Sequence, residues 1–201
     1  MSKLAIFGAG GAAREVAQWA IECGYKKITF TVDDDYFKES EVDGFSIVPM
    51  SQIDTSNFAW IVAVGNSSLR EIVVKKVEGK AKFATLIHPT ARVLASSEIA
   101  EGVIVAPGAG ISINTKIGRH SIINAQGIIG HDCEIGEYAT ISPGVVVSGN
   151  CKIGRHVFLG ANSSIREKTS ISEETIVGMG AVVVNDLSKG TYVGSPARKI
   201  K

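Results

Sequence analysis

Residues 111–147 read ISINTKIGRHSIINAQGIIGHDCEIGEYATISPGVVV, and every sixth residue from Ile111 to Val147 is isoleucine or valine. The series runs further in both directions, from Val93 to Val183. It holds sixteen positions in succession, all Ile, Val or Leu. Apolar residues make up 45% of the 201-residue chain, so chance does not produce such a run. A helix repeats its apolar positions every 3.6 residues and a strand every 2, and neither gives six. Three short strands per turn do, with one aliphatic side chain pointing inward from each flat face. A six-residue period therefore predicts a parallel β-helix.

Glycine directly follows the aliphatic position at Gly118, Gly130, Gly136, Gly154, Gly160 and Gly178. These glycines are expected to form the corners, where unusual dihedrals suit a residue without Cβ. Four positions after the aliphatic residue sits a small one, as at Ser121, Gly127, Cys133, Ala139 and Cys151. A second inward position in a narrow prism must be small. The pattern resembles the left-handed β-helix of the hexapeptide-repeat acyltransferases. The handedness follows from that resemblance and not from the period.

The first 80 residues differ. Lys3–Phe7 is a short apolar strand ending in Gly8. Arg14–Cys23 has helical spacing. Lys27–Val32 is β-branched and aromatic and ends in Asp33-Asp34-Asp35. Trp60–Val64 is a further strand, and Ser68–Val77 a further helix. Strand, glycine turn, helix, strand and acidic end open a doubly wound α/β unit. The segment is too short for a full six-stranded dinucleotide fold. A linker strand, Phe83–His88, leads into the first coil. The expected organisation is a Rossmann-like domain over residues 1–85 and a β-helix over 86–201.

Net charge is +1 and no dense basic run precedes the tail, so nucleic-acid binding is not expected. No stretch approaches 18 uninterrupted apolar residues, so no membrane span is expected. Met1–Phe7 runs straight into Gly8-Ala9-Gly10-Gly11, without the h-region and cleavage site of a signal peptide. A cytoplasmic protein is expected. Cys23, Cys133 and Cys151 have no metal-ligand spacing. Cys133 and Cys151 lie one coil apart and should stack, reduced, in the core.

Gly8-Ala9-Gly10-Gly11 lies between a strand and a helix, where backbone can approach a phosphate and the helix start attracts negative charge. An NAD site does not follow, because no second half or hydride-transfer set accompanies it. The glycine turn, Val32-Asp33-Asp34, Ala63-Val64-Gly65-Asn66, Leu86-Ile87-His88-Pro89 and the coils together resemble the sialic-acid and bacillosamine acetyltransferase family. That resemblance covers essentially the whole chain. It implies a nucleotide-sugar-binding domain using Gly10, Gly11, Ala12, Asp33, Asp34 and Gly65. Many members carry His where this chain has Ala12, so one contact must differ.

Of four histidines, His88 sits at the expected domain junction and reads as structural. His120 and His156 follow Gly-Arg in the same repeat phase and read as solvated on the outer surface. His131 is out of phase with them and is followed by Asp132. Acyl transfer needs a base for the acceptor proton, and imidazole titrates near neutrality. A neighbouring carboxylate orients it and raises its basicity. The family resemblance implies His131 as general base with Asp132 tuning it. One coil on, in a parallel ladder, lies Gly149. The resemblance implies that its N–H polarises the thioester carbonyl. It also implies coenzyme A contacts at Thr140, Ala161 and Met179, where some members have a second His in place of Thr140. The tail Gly190–Lys201 resembles a coenzyme A-covering segment, with Arg198 suited to a phosphate.

The reading is an acetyl-CoA-dependent N-acetyltransferase acting on a nucleotide-linked amino sugar, of the 4-amino-4,6-dideoxy kind, for surface glycan synthesis. It needs no metal and forms a homotrimer. One alternative is O-acetylation of a sialic acid or other sugar. A second is a non-catalytic β-helix scaffold. A carbonic-anhydrase-like metal site is disfavoured by the spacing of His120, His131 and His156.

Overall fold

The computed structural model describes residues 3–201. Met1 and Ser2 of the N-terminal stretch lie outside the described residues. The N-terminal domain is a six-stranded sheet with one helix on each side. Its strands are β1 (Lys3–Phe7), β2 (Lys27–Val32), β3 (Glu41–Val42), β4 (Phe45–Pro49), β5 (Ala59–Val62) and β6 (Lys82–Phe83), in the order β3-β4-β2-β1-β5-β6. All neighbours are parallel except β3 and β4, which form a hairpin. Six strands are thus present where fewer were expected. The unexpected strands are β3 and β4, and β6 (Lys82–Phe83) overlaps the start of the expected linker strand and closes the far edge.

Alternation along β1 sorts the two faces. Leu4 and Ile6 pack with Ala13, Val16, Ala17 and Ala20 of α1 (Gly11–Glu22). Phe7 packs with Val73 and Val74 of α2 (Ser67–Val77), and Ala5 with Val77. The expected linker strand is divided. Lys82–Phe83 closes the first sheet, while Leu86–Ile87 already pairs with Ile104–Val105 in the β-helix.

The β-helix is a three-faced prism built of two-residue strands, each paired in parallel with the strand 18 residues on. One face contains 104–105, 122–123, 140–141, 158–159 and 176–177. The second contains 110–111, 128–129, 146–147 and 164–165. The third contains 98–99, 116–117, 134–135, 152–153 and 170–171. Every period-six aliphatic residue from Val105 to Val183 is buried in one continuous core with Cys133, Ala139, Val145, Cys151 and Val157. The three cysteines are free thiols.

The corners differ from expectation. The left-handed backbone falls three residues after the aliphatic position, at Asn114, His120, Gln126, Asp132, Tyr138, Asn150, His156 and Asn162, and at Gly108, Gly144 and Gly180. The glycines directly after the aliphatic position have ordinary φ. They are required because coils stack closely there: a Cβ on Gly136 would lie 2.6 Å from the Arg155 nitrogen.

Candidate active site

His131 stands at the corner between the second and third faces. Its side chain is about half exposed, and its Nδ1 lies 2.7 Å from Asp132 Oδ2. Asp132 occupies the left-handed corner position, φ +57°, which turns its carboxylate back onto the ring of its own neighbour. Asn114, one coil earlier, donates from Nδ2 to Asp132 Oδ1 at 3.1 Å. The His131 bond first, and the Asn114 bond second, hold the Asp132 carboxyl below its ordinary range. An ionised Asp132 accepts from Nδ1–H, so the free lone pair sits on Nε2.

Gly149 lies directly against that nitrogen. A Cβ at Gly149 would come within 2.5 Å of His131 Nε2. Glycine is therefore needed to admit the imidazole itself. Among the described residues the Gly149 N–H has no acceptor, while the next residue, Asn150, donates to the His131 carbonyl. A base lone pair and a free backbone donor thus stand side by side at one corner, open to solvent.

The other candidates occupy different places. Thr140 is on the first face and nearly buried. Ala161 and Met179 stack at the corner between the first and second faces, joined by the bond from the Gly180 N–H to the Ala161 carbonyl. Their own N–H groups have no acceptor among the described residues, which suits backbone contacts to a ligand. Arg198 is exposed on the final strand, paired with Val193. In one chain the whole second face separates His131 from these residues. His120 and His156 sit at the third corner, so the three histidines do not converge. No cluster of metal-ligating side chains occurs among the described residues.

In the N-terminal domain, Gly10 caps α1 with no side-chain bond, and no acidic residue occupies the first turn. Gly11 and Ala12 line an open depression with Arg14, Gln18 and Asp43. Asp33 borders a second cavity, of about 320 Å³, with Phe7, Val32, Tyr36, Leu69 and Ile72. Both Asp33 oxygens lie 2.8 Å from Lys76 Nζ. Asp34 instead accepts from the Ser51 N–H at 3.1 Å, and Ser51 holds its pKa down. Gly65 is not in the Asp33 cavity. It lines a groove between the domains with Asn66, Ser67, Thr140 and His156.

His120 and His156 correct the sequence reading. They are not solvated. The N-terminal domain covers them, in a column in which Phe83, His120, Tyr138 and His156 succeed one another at ring separations of 4.6, 5.4 and 5.2 Å. His156 Nε2 lies 2.8 Å from Glu71 Oε2, and Arg155 Nη2 lies 2.6 Å from Glu71 Oε1. Lys75 first, with Arg155 and His156, draws the Glu71 pKa down to about 2. Arg70 and Glu71 went unread because they meet the β-helix across 50 to 85 residues of chain. His88 is buried at the junction, with Nε2 2.9 Å from Glu22 Oε2.

Two family descriptions match the chain: the PglD N-terminal domain over residues 3–77, and the bacterial transferase hexapeptide over residues 114–149. The acetyltransferase domain of PglB from Neisseria gonorrhoeae FA1090 has the same fold. It is 30% identical, superposes with a TM-score of 0.93 and covers 100% of both chains. It has also been solved in complex with acetyl coenzyme A. PerB from Caulobacter crescentus, solved with CoA and GDP-perosamine, is 28% identical over 100% of this chain and 98% of its own, with a TM-score of 0.91. The GDP-perosamine N-acetyltransferase of Escherichia coli O157:H7 is 31% identical over 143 residues, 66% of this chain; the match spans 64% of that relative's own length.

Proposed function

The chain belongs to the hexapeptide-repeat acetyltransferases that carry a PglD-type N-terminal domain ahead of a left-handed β-helix, and we propose that it moves an acetyl group from acetyl-CoA to the amine of a nucleotide-linked amino sugar. The observation that carries this reading is His131, with Nδ1 bonded to Asp132 and Nε2 against Gly149. A neutral amine attacks the thioester carbonyl. His131 Nε2 takes the proton the amine sheds, and Asp132 stabilises the imidazolium that forms. The Gly149 N–H donates to the carbonyl oxygen as it gains charge, a contact worth roughly 3–4 kcal/mol at such sites. Coenzyme A leaves as its thiolate.

The acceptor is anchored by the N-terminal domain. The uncapped start of α1 suits its diphosphate. The apolar cavity beside Asp33 suits its base, with the carboxylate accepting from a base edge. The sugar is of the 4-amino-4,6-dideoxy class, and its product serves as a donor for surface glycan assembly. PerB, solved with GDP-perosamine, and the E. coli relative, named for the same sugar nucleotide, support this assignment.

The active unit is a homotrimer. The first face carries exposed Phe158 and Ile176, and the second carries Ile128 and Val146. The third carries Glu98, Lys116, Glu134 and Lys152. Two apolar faces and one charged face suit a ring in which the first face of each subunit meets the second face of the next. Such a ring sets His131 of one subunit beside Thr140, Ala161 and Met179 of its neighbour, and so joins residues that one chain keeps apart. The three free cysteines suit a reducing compartment, which supports a cytoplasmic reaction in this proposal. Among the described residues no helix is long and apolar enough to cross a membrane.

The test is thiol release from acetyl-CoA with GDP-, UDP- and dTDP-linked 4-amino sugars and with the free sugars. Turnover on one nucleotide-linked series, and poor turnover on the free amine, is the expected result. Equal use of a free sugar or of a sugar hydroxyl refutes the assignment.

A further inference from the structure

Arg70 lies in an environment that the acetyl-transfer scheme does not use. It is 1% exposed, at the interface between α2 and the β-helix. Its guanidinium reaches six acceptors, and none is a carboxylate. Nε donates to the His120 carbonyl at 2.8 Å. Nη1 donates to the Val64 and Gly65 carbonyls at 2.6 and 3.2 Å. Nη2 donates to the Tyr138 and Ala139 carbonyls at 2.6 and 3.4 Å, and to Thr140 Oγ1 at 3.0 Å. Burial draws its pKa down to about 10, so it is charged at neutral pH. A buried cation without a carboxylate is costly to desolvate, and Arg70 offsets that cost by donating to carbonyls of both domains.

Five of the six acceptors are fixed backbone carbonyls. The sixth belongs to a side chain that lines the groove between the domains, with Gly65, Asn66, Ser67 and His156. A hydroxyl has one hydrogen to donate and two lone pairs to accept with. Arg70 occupies a lone pair of Thr140, so the O–H cannot turn toward the guanidinium. Among the described residues that O–H has no acceptor. With one lone pair taken by Arg70, the Thr140 O–H is left free to donate to a ligand in the groove.

We propose that Arg70 is a positioning residue for acetyl transfer. It holds Thr140 with the O–H directed into the groove, where the hydroxyl donates to the thioester carbonyl oxygen of acetyl-CoA. This rests on the reaction proposed above. Thr140 then faces the oxygen that the neighbouring subunit's Gly149 N–H also contacts, so the developing charge has a donor from each subunit. No bond to Thr140 forms or breaks. The amine proton still goes to His131, and the thiolate still leaves with coenzyme A.

The experiment compares Thr140→Val, Thr140→Ser, Arg70→Lys and the Arg70→Lys/Thr140→Val pair, measuring kcat and the inhibition constant of free CoA, which lacks the acetyl carbonyl. Thr140→Val should lower kcat about tenfold to a hundredfold, the scale of one oxyanion donor or somewhat less. It should leave the CoA inhibition constant within about twofold, and Thr140→Ser should restore most of the rate. Arg70→Lys should lower kcat with Thr140 present and add little once Val replaces it, the signature of two groups acting as one. Unchanged kcat in Thr140→Val overturns the proposal. So does a parallel weakening of CoA binding, which would mark a packing role. An equal Arg70→Lys cost in both backgrounds overturns the part given to Arg70. If Arg70→Lys does not fold, Arg70→Gln takes its place in both backgrounds, read by the same two constants. A wild-type protein inactive on every nucleotide-linked amino sugar would refute acetyl transfer itself, a distinct result.

Discussion

At the residue scale, Gly149 meets two requirements at once. It exposes an N–H, and it leaves the space in which the His131 ring lies. Gly149→Ala should therefore act mainly through His131, by driving the imidazole off its bond to Asp132. His131→Ala is expected to lower kcat by about 10²–10⁴, with little change in acetyl-CoA affinity. Asp132→Asn should cost less, since it alters the ring's orientation and not the base. Gly149→Ala should approach the histidine variant in kcat, and adding it to His131→Ala should cost only the donor's share. Steady-state kinetics across pH 6–9 checks this; near-normal turnover of His131→Ala ends the assignment. This part of the site was legible because His131 and Asp132 are adjacent and Gly149 is one coil away. What was not legible is that Asp132 itself occupies a left-handed corner. That backbone turn aims the carboxylate at its neighbour, and it follows from the coil's geometry.

At the element scale, the repeat was legible down to single residues, because an aliphatic side chain from every strand enters one core. The role of the glycines was not. Flexible φ and absent Cβ are both glycine properties, and the sequence does not say which is in use. The two can be separated by mutation. Gly136 has ordinary φ, but its Cβ would meet backbone of the next coil at 2.6 and 2.7 Å. Gly180 has φ +66° and open space around it. Gly180→Ala should cost about 1–2 kcal/mol, the left-handed penalty. Gly136→Ala should cost more, about 3 kcal/mol or the whole coil stack, because fixed backbone cannot retreat. Urea denaturation of the two variants checks the order, and a larger loss at Gly180 would contradict it. The hairpin from Glu41 to Pro49 escaped reading although Asp43-Gly44, both at positive φ, is a tight-turn pair. β3 is only two residues long and β4 ends in proline, which weakens a strand reading.

At the scale of the whole molecule, the domains are held together by contacts that no local pattern announces. His120 and His156 looked solvated because their repeat phase points out of the prism, and it does. The surface they point toward belongs to α2 and Phe83. His120 is almost fully buried there, between Phe83 and Tyr138, with neither ring nitrogen bonded. Burial first, then the nearby Arg119 and Arg70 charges, pulls its pKa down from 6.5 to about 4. The sign follows from proton uptake. Between about pH 4 and 6.5 the unfolded chain binds a proton at this site and the folded chain does not, so stability falls as pH falls through that window. Full protonation of the unfolded state would cost on the order of 3 kcal/mol. Glu71 acts in a lower window, since its depressed pKa removes stability only from about pH 4.5 downward, toward 2. His120→Phe isolates the first effect. Tyr138, at the same corner position one coil on, already carries an aromatic ring on left-handed backbone. The variant should therefore fold, with a Tm near the wild type at pH 8. At pH 5 it should be the more stable of the two by several degrees, because it has no proton to gain on unfolding. Thermal melts of both proteins from pH 8 to 4.5 test this, and parallel curves would mean that His120 is not held neutral by the docked N-terminal domain.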